Sequence, residues 1–213
     1  MTLDVDRCQL VMVDYQARLM PHIHDQKMVL AQASLLAQAA DSMKVPMVWT
    51  EHAPEQLGVT VDPLSRFAQN VFQKSSFDAT VEGLLEVLEP SAKPNSGGGN
   101  ARSLPKHLRK AVPESKPARD IVLIAGLEAH ICVLQTALGL LDQEKEVWLV
   151  TDASGACQAR QKDAALDRLA SQGVELVTTE MVVYEWLGGS DHPLFDAVLG
   201  WVKQAREASL MAS

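Results

Sequence analysis

"IVLIAGLEAHICVLQTALGLL", Ile121 to Leu141, decides the fold. Its first part is a short, continuous apolar run of strand-forming residues, as expected of a strand buried on both faces. A helical pattern follows almost at once. A strand feeding directly into a helix is the repeating unit of parallel α/β sheets. Cys132 stands at the junction, four residues after Glu128 and two after His130. A thiol there is either a buried space-filler or a nucleophile held at a helix start. Free cysteine is among the most buried residue types, so Cys132 alone leaves both readings open.

Outward from this unit, the same alternation recurs. "CQLVMVD" (Cys8 to Asp14) reads as the first strand, and "QKMVLAQASLLAQAADSM" follows with helical spacing of its apolar residues. "VPMVWTEH" is a second strand with a polar end at Thr50, Glu51 and His52, and "NVFQKSSF" is a weaker third one ending near Lys74. "DATVEGLLEVLE" reads as a helix capped by Asp78 or Thr80. "RDIVLIAGL", "KEVWLVTDA" and "GVELVTTE" supply three more strands, separated by the helices "CVLQTALGLLDQ" and "RQKDAALDRLASQ". The C-terminal stretch is helical with a break at Gly188 and Gly189. Six strands alternating with helices imply a parallel sheet covered on both faces.

The 213 residues suit one compact domain, and 47% hydrophobic with 22% charged residues is an ordinary globular balance. A formal charge of -8 argues against a nucleic-acid surface, which needs concentrated Lys and Arg, so small molecules are the expected partners. No apolar run reaches the roughly 18 residues of a membrane span. The N-terminus lacks the features of a secretory signal, so a cytoplasmic location is expected. Cys8, Cys132 and Cys157 are odd in number and far apart, which fits reduced thiols.

One segment breaks the regularity. Between about 89 and 119 the chain carries Pro90, Pro94, Pro105, Pro113 and Pro117, a Gly97–Gly99 run and several lysines and arginines. It is too long for an ordinary α/β connection. A surface excursion, a lid and a subunit-contact arm all fit it.

In an open parallel sheet, ligands gather outside the carboxyl ends of the strands. Asp14 ends the first strand, Lys74 ends the third and Cys132 lies just past the fourth, so base, cation and nucleophile share one rim. The helix start and a nearby lysine would each favour the thiolate, and an aspartate can accept the thiol proton and return it to a leaving group. Cys157, after the fifth strand, is a minor second candidate, and Cys8 reads as packing.

At these residues the chain resembles the isochorismatase-like cysteine hydrolases, the superfamily that includes nicotinamidases and carbamoylsarcosine amidohydrolases. The matching pieces are "LVMVDYQ" with Asp14 and Gln16, "VFQKSSF" with Lys74, "IAGLEAHICVLQTALGLL" with Cys132, and "VWLVTDASGA". The resemblance covers nearly the whole chain outside the 89–119 insertion and is strongest to the isochorismatase-domain-containing group. It implies a single domain over 1–213 with a Rossmann-like, three-layer α/β fold, a six-stranded parallel sheet of order 3-2-1-4-5-6. It further implies an Asp14–Lys74–Cys132 triad that cleaves a C–N bond of a small amide through a thioester. Family members carry a cis peptide shortly before the nucleophile, here between Leu127 and Glu128, which turns the Glu128 N–H to join that of Cys132 as an oxyanion hole. Homo-oligomers, dimers or tetramers, are common in the family.

Tyr15, Gln16, His52 and Phe77 are the candidates to line the substrate pocket; His52 fits equally a satisfied polar residue at a strand end. Nicotinamidases hold a metal through an Asp and histidines after the second strand. "TEHAPEQLG" has no matching spacing, so no metal and no cofactor are expected. Glu128 either faces the thiol, raising its pKa, or enters a hydrogen-bonding network with a neighbour such as His130. Two other functions stay open. One is vinyl-ether hydrolysis of isochorismate with the aspartate as general acid, and the other is a non-catalytic scaffold that retains the fold.

Overall fold

The computed structural model describes residues 2–89 and 119–210. Most of the basic 89–119 insertion, and with it the choice between excursion, lid and contact arm, lies outside the described residues.

Strands β1 (Cys8–Val13), β2 (Met47–His52), β3 (Val71–Lys74), β4 (Ile121–Gly126), β5 (Glu146–Val150) and β6 (Glu175–Val177) form one sheet of order β3-β2-β1-β4-β5-β6. Every pairing is parallel. This is the parallel architecture expected from the sequence, with the strand order that the family resemblance implies. All six residues of β1 and of β4 are buried, which is why both read as continuous apolar runs rather than alternating ones.

Successive side chains of a strand point to opposite faces, and the core divides accordingly. Leu10, Met12, Leu123 and Ala125 join the layer of α1 (Gln26–Ser42), α6 (Thr179–Leu187) and α7 (Phe195–Leu210). Val11, Val13, Val122 and Ile124 pack instead with α3 (Leu84–Leu88), α4 (Leu134–Asp142) and Leu169 of α5 (Ala159–Ser171). A further short helix, α2 (Pro54–Leu57), follows β2. No helix among the described residues is long and apolar enough to cross a membrane.

Two helices differ from the sequence expectation. The segment after β3 is not one helix but a 3-10 turn, Ala79–Glu82, followed by α3. Gly83 between them adopts φ 99°, a conformation that L side chains rarely take, while Asp78 accepts a hydrogen bond from the Thr80 N–H. The helix after β4 starts earlier than its apolar pattern suggests, with a π-turn over Ala129–Val133 that precedes α4. Cys132 therefore sits inside the first turn rather than at its first residue.

Candidate active site

β1 and β2 lie side by side with Val13 opposite Thr50, and β2 and β3 with His52 opposite Lys74. This register brings Asp14, Thr50 and Lys74 to one point at the carboxyl edge of the sheet. Lys74 Nζ donates to Asp14 Oδ2 at 2.8 Å, and both side chains are completely buried. The ammonium also reaches the Ser76 carbonyl at 3.3 Å. Thr50 Oγ1 donates to Asp14 Oδ1 at 2.6 Å, so each carboxylate oxygen has its own donor on a different strand. Asp14 itself has φ 52°, a strained value for a residue with a side chain, and Asp tolerates it better than most.

β4 is the other neighbour of β1, and Val13 faces Gly126 across the pair. The chain leaves β4 through the cis Leu127–Glu128 bond and enters the π-turn, which returns the Cys132 thiol to where Asp14 and Lys74 both act on it electrostatically. Cys132 is buried. Asp14, Lys74 and Cys132 are thus brought together from three elements well separated in sequence.

Electrostatically, the arrangement differs from the sequence expectation that the helix start and Lys74 leave Cys132 poised as a thiolate. Burial pushes its thiol up to about 12, the Asp14 carboxylate adds to the rise, and Lys74 only partly offsets it. The reason is that the lysine charge is already committed to Asp14. The resting group is a neutral thiol beside an ion pair. In the unfolded chain the same thiol titrates near 9. Its folded pKa being the higher, its stabilising contribution is full below about pH 9 and is lost as pH rises towards 12. Measured by urea unfolding, the parent should lose about 1.4 kcal/mol relative to Cys132→Ala between pH 7 and pH 10. Parallel pH dependence of the two proteins would contradict this.

The remaining sequence candidates separate. Tyr15 is fully buried in the α1 layer, its ring 6.2 Å from that of Trp49 and its hydroxyl donating to the Ala153 carbonyl at 2.6 Å. That removes it from the wall facing Cys132, which belongs to the opposite layer. Gln16 spends its amide on backbone. Its Oε1 accepts from His52 N–H at 2.9 Å, and its Nε2 donates to the carbonyls of His52 and Gly58 at 3.0 and 2.6 Å. It builds the wall on which His52 stands. The His52 ring meets Phe77, which is about half exposed, with centroids 5.3 Å apart. Glu51 is buried and accepts from the N–H and hydroxyl of Thr60, each at 2.8 Å. Among the described residues no group of three or more His, Cys, Asp or Glu is placed to hold a metal ion.

Glu128 does not turn towards Cys132 or pair with His130. Its Oε1 accepts from Cys157 Sγ at 2.8 Å and from the Cys157 N–H at 3.3 Å, and this bond raises the pKa of the exposed Cys157 thiol. With Ala129 N–H donating to Gly155 O at 2.7 Å, it ties the loop after β5 to the turn that carries Cys132. Sequence reasoning missed two contacts here, the hydroxyl of Thr50 on Asp14 and the partner of Glu128. The first had a faint signal, a polar residue ending an apolar strand; the second had none.

Residues 8–181 match the family model of the isochorismatase domain. The isochorismatase family protein 2A of Dictyostelium discoideum is 30% identical over 173 residues, 81% of this chain and 78% of that protein. Among solved structures, the MAR1 ribonuclease of Caenorhabditis elegans superposes with a TM-score of 0.77 at 25% identity, covering 95% of this chain and 93% of that one. The YcaC gene product of Escherichia coli, described as an octameric hydrolase of unknown specificity, gives 0.77 at 19% identity over 97% and 93%. The matched span runs from the first residue of β1 into α6 and so contains the whole sheet with Asp14, Lys74 and Cys132; the chain belongs to the isochorismatase family and has that family's hydrolase fold.

Proposed function

We propose that the protein is a cysteine hydrolase that cleaves the C–N bond of a small, uncharged amide through a thioester on Cys132. The observation that carries this reading is the convergence of a buried Asp14–Lys74 pair on a single buried thiol.

A thiol with its pKa near 12 loses its proton to water with difficulty, but transfer to Asp14 is a different step. The proton moves from sulfur to carboxylate beside a fixed ammonium, and the net charge of the site stays the same. Sulfur attacks the carbonyl carbon as the proton leaves, and the N–H groups of Glu128 and Cys132 receive the oxyanion. Protonated Asp14 then gives the proton to the departing nitrogen. Water hydrolyses the thioester, with Asp14 again as base, and the thiol is restored.

The charge balance also bears on the substrate. Lys74 is the cation that acts on the Cys132 thiol, and Asp14 matches it, which favours a neutral amide over a dicarboxylate such as isochorismate. The overall charge of -8 favours a small molecule over RNA, the substrate named for the Caenorhabditis elegans neighbour. The ring pair of His52 and the half-exposed Phe77, 5.3 Å apart between centroids, supports assigning these two side chains to substrate contact. The octameric assembly of the Escherichia coli neighbour supports a homo-oligomer here.

The test is a panel of uncharged amides and carbamates, acid-quenched during turnover and analysed by intact-protein mass spectrometry. An acyl adduct on Cys132, with release of ammonia or amine and neither event in Cys132→Ala, is the expected result. Pyruvate release from isochorismate, or cleavage of an RNA oligonucleotide, by parent and Cys132→Ala alike would overturn the reading.

A further inference from the structure

Thr50 is completely buried, and its hydroxyl proton is committed to Asp14 Oδ1 at 2.6 Å. The same residue holds the main chain of Asp14, whose N–H donates to the Thr50 carbonyl at 3.1 Å. We infer that Thr50 is a positioning residue for the proton transfer, fixing the plane of the Asp14 carboxylate so that a lone pair is held on the Cys132 thiol. The inference rests on the reading of Asp14 as the base.

The physical argument concerns the last torsion of an aspartate side chain, which is broad and nearly two-fold. One donor, Lys74 on Oδ2, fixes the position of one oxygen but leaves the carboxylate free to turn about it. A second donor on Oδ1, delivered from a different strand, removes that rotation. Thr50 is paired with Val13, one residue before Asp14, so the sheet register itself holds the hydroxyl in place. Proton transfer from sulfur depends steeply on this alignment, because small misplacements of a reacting group cost large factors in rate. Thr50 needs no contact with substrate to act in this way.

The experiment compares alkylation of the three thiols by limiting iodoacetamide in the full chain, read by peptide mass spectrometry. Cys157 is exposed and serves as the internal reference, while the buried Cys8 reports loosening of the fold. Thr50→Val keeps the shape and removes the hydroxyl. It should lower labelling of Cys132 relative to Cys157 about tenfold without labelling Cys8, whereas Thr50→Ser should stay within about twofold of the parent. A merely structural role would give the opposite sign, since a loosened site exposes Cys132 and speeds its labelling. Equal or faster Cys132 labelling in Thr50→Val overturns the inference. Where Thr50→Val labels Cys8, Thr50→Ala against Thr50→Ser carries the comparison, because both lose a methyl and only the first loses the hydroxyl. Slow Ala with parental Ser supports the role, and equal rates overturn it. Asp14→Asn separates the two layers of argument. Parental or faster labelling in Asp14→Asn removes the base and both readings with it, whereas slow labelling there with parental Thr50→Val removes only the role of Thr50.

Discussion

Lys74→Met lowers folding stability by about 3–5 kcal/mol, and adding Asp14→Asn to it recovers part of that loss. The two side chains are fully buried and paired at 2.8 Å, so removing the ammonium leaves a carboxylate shielded from solvent and without its paired charge. The Thr50 hydroxyl still donates to it, and that neutral donor does not supply a full charge. Breaking a buried pair from one side is costly for this reason, whereas replacing both members removes the charges together. An asparagine in the double variant still accepts from Thr50. The coupling between the two substitutions should be on the order of 2 kcal/mol, as expected for residues in direct contact. Urea unfolding of the parent, both single variants and the double variant measures it. Additive losses, with the double variant the least stable of the four, would mean that the pair does not act as a unit. Turnover should be absent from all three variants, so stability and activity part company in the double one: it folds better than Lys74→Met and remains inactive. This separation marks a buried ion pair kept for chemistry rather than for stability.

The layers of the fold were legible because burial on both faces writes itself into sequence as continuous apolar runs. "CQLVMVD" and "RDIVLIAGL" contain β1 and β4, and the Rossmann-like order of the strands followed from family resemblance rather than from any single segment. The rim was legible more faintly, since Asp14 directly follows the buried run of β1, whereas Lys74 ends a largely exposed β3 and Cys132 stands beyond the end of β4. What the sequence concealed is set by which way a side chain turns after the strand ends. Tyr15 follows Asp14 directly, yet it points into the α1 layer, while Gln16 folds back on the backbone of His52. Glu128 lies within one turn of Cys132 and is bonded to Cys157, a residue 29 positions away that only the loop after β5 brings near. The protonation state of Cys132 was likewise hidden, because a count of nearby charges does not reveal that Lys74 is already occupied by Asp14.

Gly126→Ala should both destabilise the fold by about 3 kcal/mol and cut thioester formation roughly a hundredfold, for one geometric cause. A Cβ built on Gly126 would overlap the Val13 carbonyl oxygen and lie 2.5 Å from the Val13 Cβ. Neither can swing aside as a flexible side chain would, because the carbonyl is backbone and also accepts the Leu127 N–H at 2.9 Å. The φ of 154° adds strain for any residue with a Cβ. β1 and β4 would have to separate at their carboxyl ends, and Asp14 and the turn that carries Cys132 are the segments attached there. The missing side chain of Gly126 therefore sets how closely Asp14 and Cys132 approach. Gly200→Ala in α7 is the matched control, since a Cβ there meets nothing within 4 Å and a helical glycine gains about 0.5–1 kcal/mol on replacement by alanine. Thermal unfolding together with the yield of acyl adduct on Cys132 tests both effects in each variant. A Gly126→Ala protein with parental adduct yield would show that the rim tolerates a wider β1–β4 spacing, and that the convergence of Asp14 on Cys132 is held by other contacts.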